Sequence, residues 1–324
     1  MTLSRRRFTA LAAGAAAGLA LPRRRQESYF RWVPVRDDVQ VAVGGGGNSL
    51  LYLGPRGALV SDGKNFGLGR ALRAEAESFG VTVTHFVNTH HHGDHTGGNE
   101  GFPDALKVAH ANAAPRIAAS AEAALARAGD RLAALEEELS ARGAPPHVQH
   151  GLEELHAELD TLAVADFTPD RVFLDEYPLS VDGLPVELRW VSPGHTDGDV
   201  FVFLPRENVL HCGDLLFHGR HPYVDDTAGA TPAGWLRCLD AMLARCDADT
   251  AVVPGHGEVT DRAGLAAQGD YFRRLQGVAA DAHARGLSRE QVQGLVPDGL
   301  GDLPGADPHL ARNLGLVFDE VAAR

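Results

Sequence analysis

The stretch THHHGDHTGGN, Thr89 to Asn99, places four histidines and an aspartate within six consecutive positions, His90 to His95, and follows them with Gly97 and Gly98. The residues leading into it, VTHFVNT, are β-branched and apolar enough to read as a strand. In an extended or turning segment His90 and His92 are two apart and project to the same side, while Asp94 and His95 come from the turn that follows. A single histidine is usually a packed or surface residue, but packing does not explain so dense a run. Rings crowded at the end of an apolar strand are costly to bury unless their nitrogens are coordinated or hydrogen-bonded. Imidazole suits zinc, and a carboxylate in place of a thiolate fits hydrolytic rather than structural work. Gly97 and Gly98 let the backbone turn tightly beneath the ligands.

Four groups are too few for two hydrolytic cations, so other loops must supply the rest. Three later strand ends each offer one candidate in a glycine-marked turn: PGHTDGD gives His195, HCGDLLF gives Asp214 and PGHGE gives His256. His90, His92 and His195 then serve one ion, Asp94, His95 and His256 the other, and Asp214 lies between. Such a pair would share a water and lower its pKa toward neutrality. The expected cofactors are two Zn2+ ions, with iron or manganese able to bind the same donors.

Strands and helices alternate around these motifs. VQVAV (39–43), SLLYL (49–53) and GALVSD (57–62) read as a meander broken by GGGGN and GPRG. FGLGRALRAEAESFG reads as a helix with Leu68, Leu72, Ala76 and Phe79 on one face. VELRWVS, VFVFL, NVLHC and TAVVP read as later strands. From about 115 to 162 the chain is rich in Ala, Leu and Glu, with Leu125, Leu132 and Leu139 at steps of seven and Leu152, Leu155, Leu159 and Leu162 on a second face. A packed helical hairpin is the plain reading, with a lid or homo-oligomer contact as the alternative. His147, His150 and His156 in this region read as solvated bystanders.

The first 25 residues stand apart. They hold six of the 30 Lys+Arg and none of the 43 Asp+Glu, and Arg5, Arg6, Arg7 and Phe8 precede an apolar run too short to span a bilayer. This is the layout of an export signal, and its Ser-Arg-Arg-x-Phe order resembles the twin-arginine type, an address rather than an anchor. A periplasmic location and no stable membrane insertion beyond the signal are the expectations, with residues 26–324 as one domain. Without that segment the body is more acidic than the whole chain's −13, so nucleic acid is excluded as a partner and a small-molecule substrate is expected. Three cysteines do not make a disulfide framework.

In its ordered motifs the sequence resembles the metallo-β-lactamase superfamily. That family's H-x-H-x-D-H signature matches His90, His92, Asp94 and His95. Its G-H-T, G-D and G-H-G motifs match Gly194 to Thr196, Gly213 with Asp214, and Gly255 to Gly257, and the early aspartate matches Asp62. The resemblance implies an α/β fold, a four-layer αβ/βα sandwich with the metals at one edge, and Asp62 supporting the ligands from behind.

The first functional expectation is a metal-dependent hydrolase that cleaves an ester, thioester, lactone or lactam with a hydroxide shared by two ions, Asp94 orienting it or taking a proton. Asp214 at the bridging position resembles the thioester- and lactone-cleaving branches, because many zinc β-lactamases place Cys there. The alternatives are a β-lactamase proper and an iron-dependent sulfur or persulfide oxidoreductase of the same fold. Substrate contacts are expected from the loop FHGRHPYVDD, through His218, Arg220, His221 and Tyr223.

Overall fold

The computed structural model describes residues 28–304 and 306–324, so the expected signal segment, residues 1–25, lies outside the described residues. Two sheets carry the chain. The first runs in the spatial order β1 (Arg31–Arg36), β2 (Val39–Val43), β3 (Ser49–Leu53), β4 (Gly57–Ser61), β5 (Thr82–Val87), β6 (Leu106–His110) and β7 (Arg171–Phe173). Strands β1 to β4 form an antiparallel meander, and β4 to β7 are parallel. The second sheet contains β8 (Glu176–Val181), β9 (Leu184–Arg189), β10 (Phe201–Leu204), β11 (Val209–His211), β12 (Ala251–Val253) and β13 (Thr260–Asp261), with β11 and β12 parallel.

Alternation along the strands builds the layers. Val39, Val41, Leu50, Tyr52 and Leu59 face inward and meet Val186, Leu188, Val202, Leu204 and Val253 of the second sheet. The intervening Ala42, Leu51, Ala58 and Val60 face outward under Leu72 and Ala76 of helix α1 (Gly69–Glu77) and the helices between β6 and β7. On the far side Phe201, Phe203 and Leu210 are covered by α6 (Pro232–Leu243), α7 (Arg262–Ala284), α8 (Arg289–Gln293) and α9 (Ala311–Ala322). Because both faces of each sheet are covered, these strands read as nearly unbroken apolar runs. The result is the expected four-layer αβ/βα sandwich.

Some expectations need correction. Strand β1 was not foreseen: Pro34 interrupts its pattern, and the structure tolerates it at an edge beside a register shift. The expected helical hairpin is three helices, α3 (Ala113–Leu125), α4 (Ala128–Arg142) and α5 (Pro146–Glu158), because the chain breaks at Ala126–Arg127 although the leucine spacing continues across it. Together they form the crossover from β6 to β7. Phe79 lies beyond the end of α1, half-exposed and edge-on to Trp32 at 5.1 Å. His150 and His156 are exposed as expected, but the His147 residue is only partly exposed, its ring is turned inward, and it donates to Glu75 at 2.7 Å.

Glu75 gathers more than that ring. Its carboxylate also accepts from Tyr29 N (2.6 Å), Trp32 Nε1 (2.7 Å) and Ser28 Oγ. One buried acid on α1 thereby ties the first described residues, strand β1 and helix α5 together. The cysteines at 212, 238 and 246 are all free. Among the described residues, no helix is long and apolar enough to cross a membrane.

Candidate metal centre

The candidate ligands leave the carboxyl ends of strands, where loops of both sheets converge. Strand β5 ends at Val87 and the chain turns through His90 and His92 into the one-turn helix α2 (Gly93–Thr96), which carries Asp94 and His95. Asp214 follows β11 in a tight turn at Gly213, whose φ of +51° suits glycine. His256 follows β12, and His195 comes from the loop between β9 and β10.

The structure brings all seven expected residues together. One ligand atom each from His90, His92, His195 and Asp214 forms a group within 4.8 Å, and Asp94, His95 and His256 form a second under the same limit. The Asp214 carboxylate faces both. Its Oδ2 lies 3.7 Å from His90 Nε2, 3.5 Å from His195 Nε2 and 3.3 Å from His256 Nε2, and its Oδ1 lies 3.1 Å from His95 Nε2.

The outward nitrogen of each of four rings is already engaged. His95 Nδ1 donates to Asp62 Oδ2 (2.8 Å), His195 Nδ1 to the Tyr223 carbonyl (2.6 Å) and His92 Nε2 to Asp225 Oδ2 (2.9 Å). His90 Nδ1 donates to Thr89 Oγ1 (3.0 Å), whose own proton goes to Asp62 Oδ2 (2.8 Å). These partners fix the tautomers and leave the inward nitrogens as lone pairs. His92 Nδ1 and His195 Nε2 then stand 2.9 Å apart, two acceptors face to face. His90 Nε2, His95 Nε2 and Asp214 Oδ1 are buried without a hydrogen-bond partner. Polar atoms left in this way are costly unless something positive lies among them, so the donor set fits divalent cations.

Electrostatics agree. Burial holds His90 well below the ordinary imidazole range and takes His195 down to about 3, which keeps both rings neutral. At the second group the carboxylates overcome burial: Asp214 and Asp94 push His256 up to about 9, and with Asp62 they hold His95 well above its usual value. Burial would raise Asp214, yet the His256, His95 and His90 rings keep it well below the carboxylate range. The acids are ionised and draw protons where metal would serve.

Asp62, at φ +72°, accepts from Thr89 N as well, at 2.8 Å. The sequence did not single out Asp225, which also receives a bond from Thr227 Oγ1 and whose backbone N–H donates to the His195 carbonyl (3.1 Å). Its only signal was an acid in the loop after Asp214. Asn88 and Asn99, equally unforeseen, bond each other through both amides, and Asn88 also reaches the His95 carbonyl. His211 is fully buried with both ring nitrogens unpartnered, 3.6 Å from Asp62.

The expected substrate residues divide. Arg220 is exposed and has no ion-pair partner among the described residues; it lines a cavity of about 330 Å³ with Phe217, His221, His256, Pro304 and His309. His218 sits at the same edge and donates to the Glu258 carbonyl (2.8 Å). Tyr223 lends its carbonyl to His195, and its ring packs under the Arg312 guanidinium. His221 departs from expectation: it is buried, and both ring nitrogens are taken by Tyr271 Oη (3.0 Å) and the Leu300 carbonyl (2.9 Å), which leaves none for a substrate. A larger cavity of about 500 Å³, beside Arg70 and Glu158, touches none of the candidate ligands and is not the reaction site.

Fold and site together define a class, and comparison with known proteins agrees: the sequence profile of the metallo-β-lactamase superfamily matches residues 32–256. The chain belongs to that superfamily and is one of its hydrolases in general type. Among curated relatives it is 28% identical over 267 residues to a hydroxyacylglutathione hydrolase of Synechococcus sp., covering 78% of this chain and 76% of that protein. A second hydroxyacylglutathione hydrolase, from Rhodospirillum rubrum, is 27% identical over 75% of this chain and 74% of its own length. The metallo-β-lactamase type 2 of Bacteroides fragilis is 31% identical, but over only 28% of this chain and 36% of that protein. A solved metallo-β-lactamase from Pontibacter korlensis superposes with a TM-score of 0.55 at 18% identity, over 75% of this chain and 99% of that one, and shares the fold.

Proposed function

We propose that the protein is a dinuclear zinc hydrolase acting on thioesters. The observation that carries this reading is the Asp214 carboxylate, which faces both ligand groups at 3.1–3.7 Å. His90, His92 and His195 would hold one cation and Asp94, His95 and His256 the other. When bound, the pair supplies an activated water and Lewis acidity toward a carbonyl. The protein's own groups do the rest. Asp62, Thr89, Asp225 and the Tyr223 carbonyl keep the imidazoles in the ligating tautomer. Asp94 is the expected catalytic carboxylate. In the metal-free protein burial would raise it, but the charged His95 and His256 rings bring it down to about 2; in the working site its role is to orient the nucleophile or take a proton. The relatives that match three quarters of the chain are named for a thioester substrate, which favours a thioester over a lactam. The Arg5–Arg6 segment supports export by the twin-arginine route as a further part of this proposal.

The test is elemental analysis of protein purified from its native compartment, joined to hydrolysis of matched thioesters, esters, lactones and lactams. Two zinc ions per chain and preferential thioester cleavage are expected, both lost in Asp214→Ala with the fold retained. Iron as the native metal would favour the sulfur oxidoreductase reading. Faster lactam cleavage would favour a β-lactamase.

A further inference from the structure

The second ligand group is bounded by a loop that contains none of its ligands. Residues Gly44–Asn48 connect β2 to β3, and three of their four glycines have positive φ: 108° at Gly44, 68° at Gly45 and 129° at Gly46. The loop lies directly on the metal turn. A Cβ at Gly47 would fall 2.1 Å from His95 Cε1, and one at Gly46 would fall 2.5 Å from the Asp94 carbonyl oxygen. Gly47 N donates to that same carbonyl at 3.1 Å. At its other end Asn48 holds the turn that carries His256: its backbone N–H donates to Gly255 O (2.7 Å), and its side-chain amide donates to Pro254 O and Gly257 O, both at 2.9 Å. Five residues thus touch the backbone of Asp94, the ring of His95 and the turn of His256.

A run of four glycines has no side chains to fix its path, and its conformational freedom is large. Lys64 supplies the anchor. It is fully buried, sits at φ +72°, and its Nζ donates to Ala42 O (2.6 Å), ahead of the glycine run, and to Gly47 O (2.7 Å), at the run's last residue. The ammonium lies 5.3 Å from the Phe30 ring centroid, and Asn65 N adds a bond to Gly45 O at 3.0 Å. A lysine is seldom buried completely, and one in the left-handed region is rarer still. Its two bonds, to the end of β2 and to the last glycine of the loop, explain why it is there.

We infer that Lys64 is a positioning residue for one metal centre only: by pinning the Gly44–Asn48 loop it sets the geometry of Asp94, His95 and His256, and leaves the His90, His92 and His195 group alone. This rests on the two-ion reading above. The chain can accordingly be made mononuclear by substitutions that touch no ligand.

The experiment titrates Zn2+ into metal-stripped protein by calorimetry and repeats the titration with Co2+, following its visible spectrum. Lys64→Met keeps the aliphatic length and deletes the donors. It should weaken one of two binding events about 10- to 100-fold, the range seen when a group supporting a ligand is removed, and leave the other within about threefold. Asn48→Ala attacks the loop from its other end and should produce the same selective loss, which covers the case in which Lys64→Met fails to fold. Equal weakening of both events in these variants, or no weakening, would overturn the inference. A wild-type protein that binds only one ion would instead defeat the dinuclear reading.

Discussion

Replacing Asp62 by asparagine removes one oxygen and almost no volume, yet every bond that Asp62 makes depends on two acceptors. Its Oδ1 accepts from Thr89 N, and its Oδ2 accepts from both Thr89 Oγ1 and His95 Nδ1, all at 2.8 Å. An amide turned one way sets its NH2 against the Thr89 N–H, two buried donors in contact. Turned the other way, it sets NH2 against His95 Nδ1, and the ring must move its proton to Nε2, the atom that faces Asp214. Either arrangement leaves about one buried donor unpaired and weakens a charge-assisted bond, for a stability cost of roughly 2–4 kcal/mol. The affinity for the cation at His95 should fall about 10- to 100-fold. Chemical denaturation of the metal-stripped variant reads the first quantity, and chelator competition reads the second. A variant that retains wild-type metal affinity while losing the stated stability would show that Asp62 only supports the backbone, and the tautomer argument would be refuted.

The loop after Asp214 yields a second prediction: Arg220→Ala should raise KM for carboxylate-bearing thioesters about 10- to 100-fold and spare neutral ones, since a sheltered charge-assisted contact contributes roughly 1.5–3 kcal/mol. Equal losses on both substrate sets would return Arg220 to a supporting role. A third concerns pH. His256 in metal-stripped protein is raised to about 9 from an ordinary 6.5, so its charged form stabilises the fold fully below about 6.5, and that contribution is lost as pH rises through 9. The stability advantage of wild type over His256→Gln, measured in chelator, should shrink across that window; a constant difference from pH 6 to 10 would contradict the coupling to Asp214 and Asp94. Lastly, Arg5→Lys combined with Arg6→Lys should hold the protein in the cytosol, as cell fractionation would show, and normal export would dismiss the twin-arginine reading.

The ligands were legible because metal chemistry writes itself into spacing: His90, His92, Asp94 and His95 crowd one turn, and His195, Asp214 and His256 each end a strand beside glycine. The paired sheets were legible because strands covered on both faces leave long apolar runs. What held those ligands was harder to see. Asp225 and Tyr223 act on His92 and His195 from a loop with no periodicity, and a backbone carbonyl such as that of Tyr223 leaves no trace in residue type. His221 looked like its neighbours in the sequence, and only the arrival of Tyr271 from α7 and Leu300 from the turn beyond α8 shows that it is occupied. The break between α3 and α4 was hidden for a related reason, since a leucine repeat records which residues pack but not whether the backbone between them stays helical.

The carboxylate of Glu75 makes distant parts of the chain share one fate. It bonds Ser28, Tyr29 and Trp32 at the start of the described chain and His147 on the crossover helix, so the N-terminal strand and the β6–β7 crossover are fastened at one point. Protease trimming past residue 29 should therefore be felt more than a hundred residues away. Amides of α5 would exchange faster with deuterated solvent, although nothing in that helix had been cut, and the two segments would open as one cooperative unit.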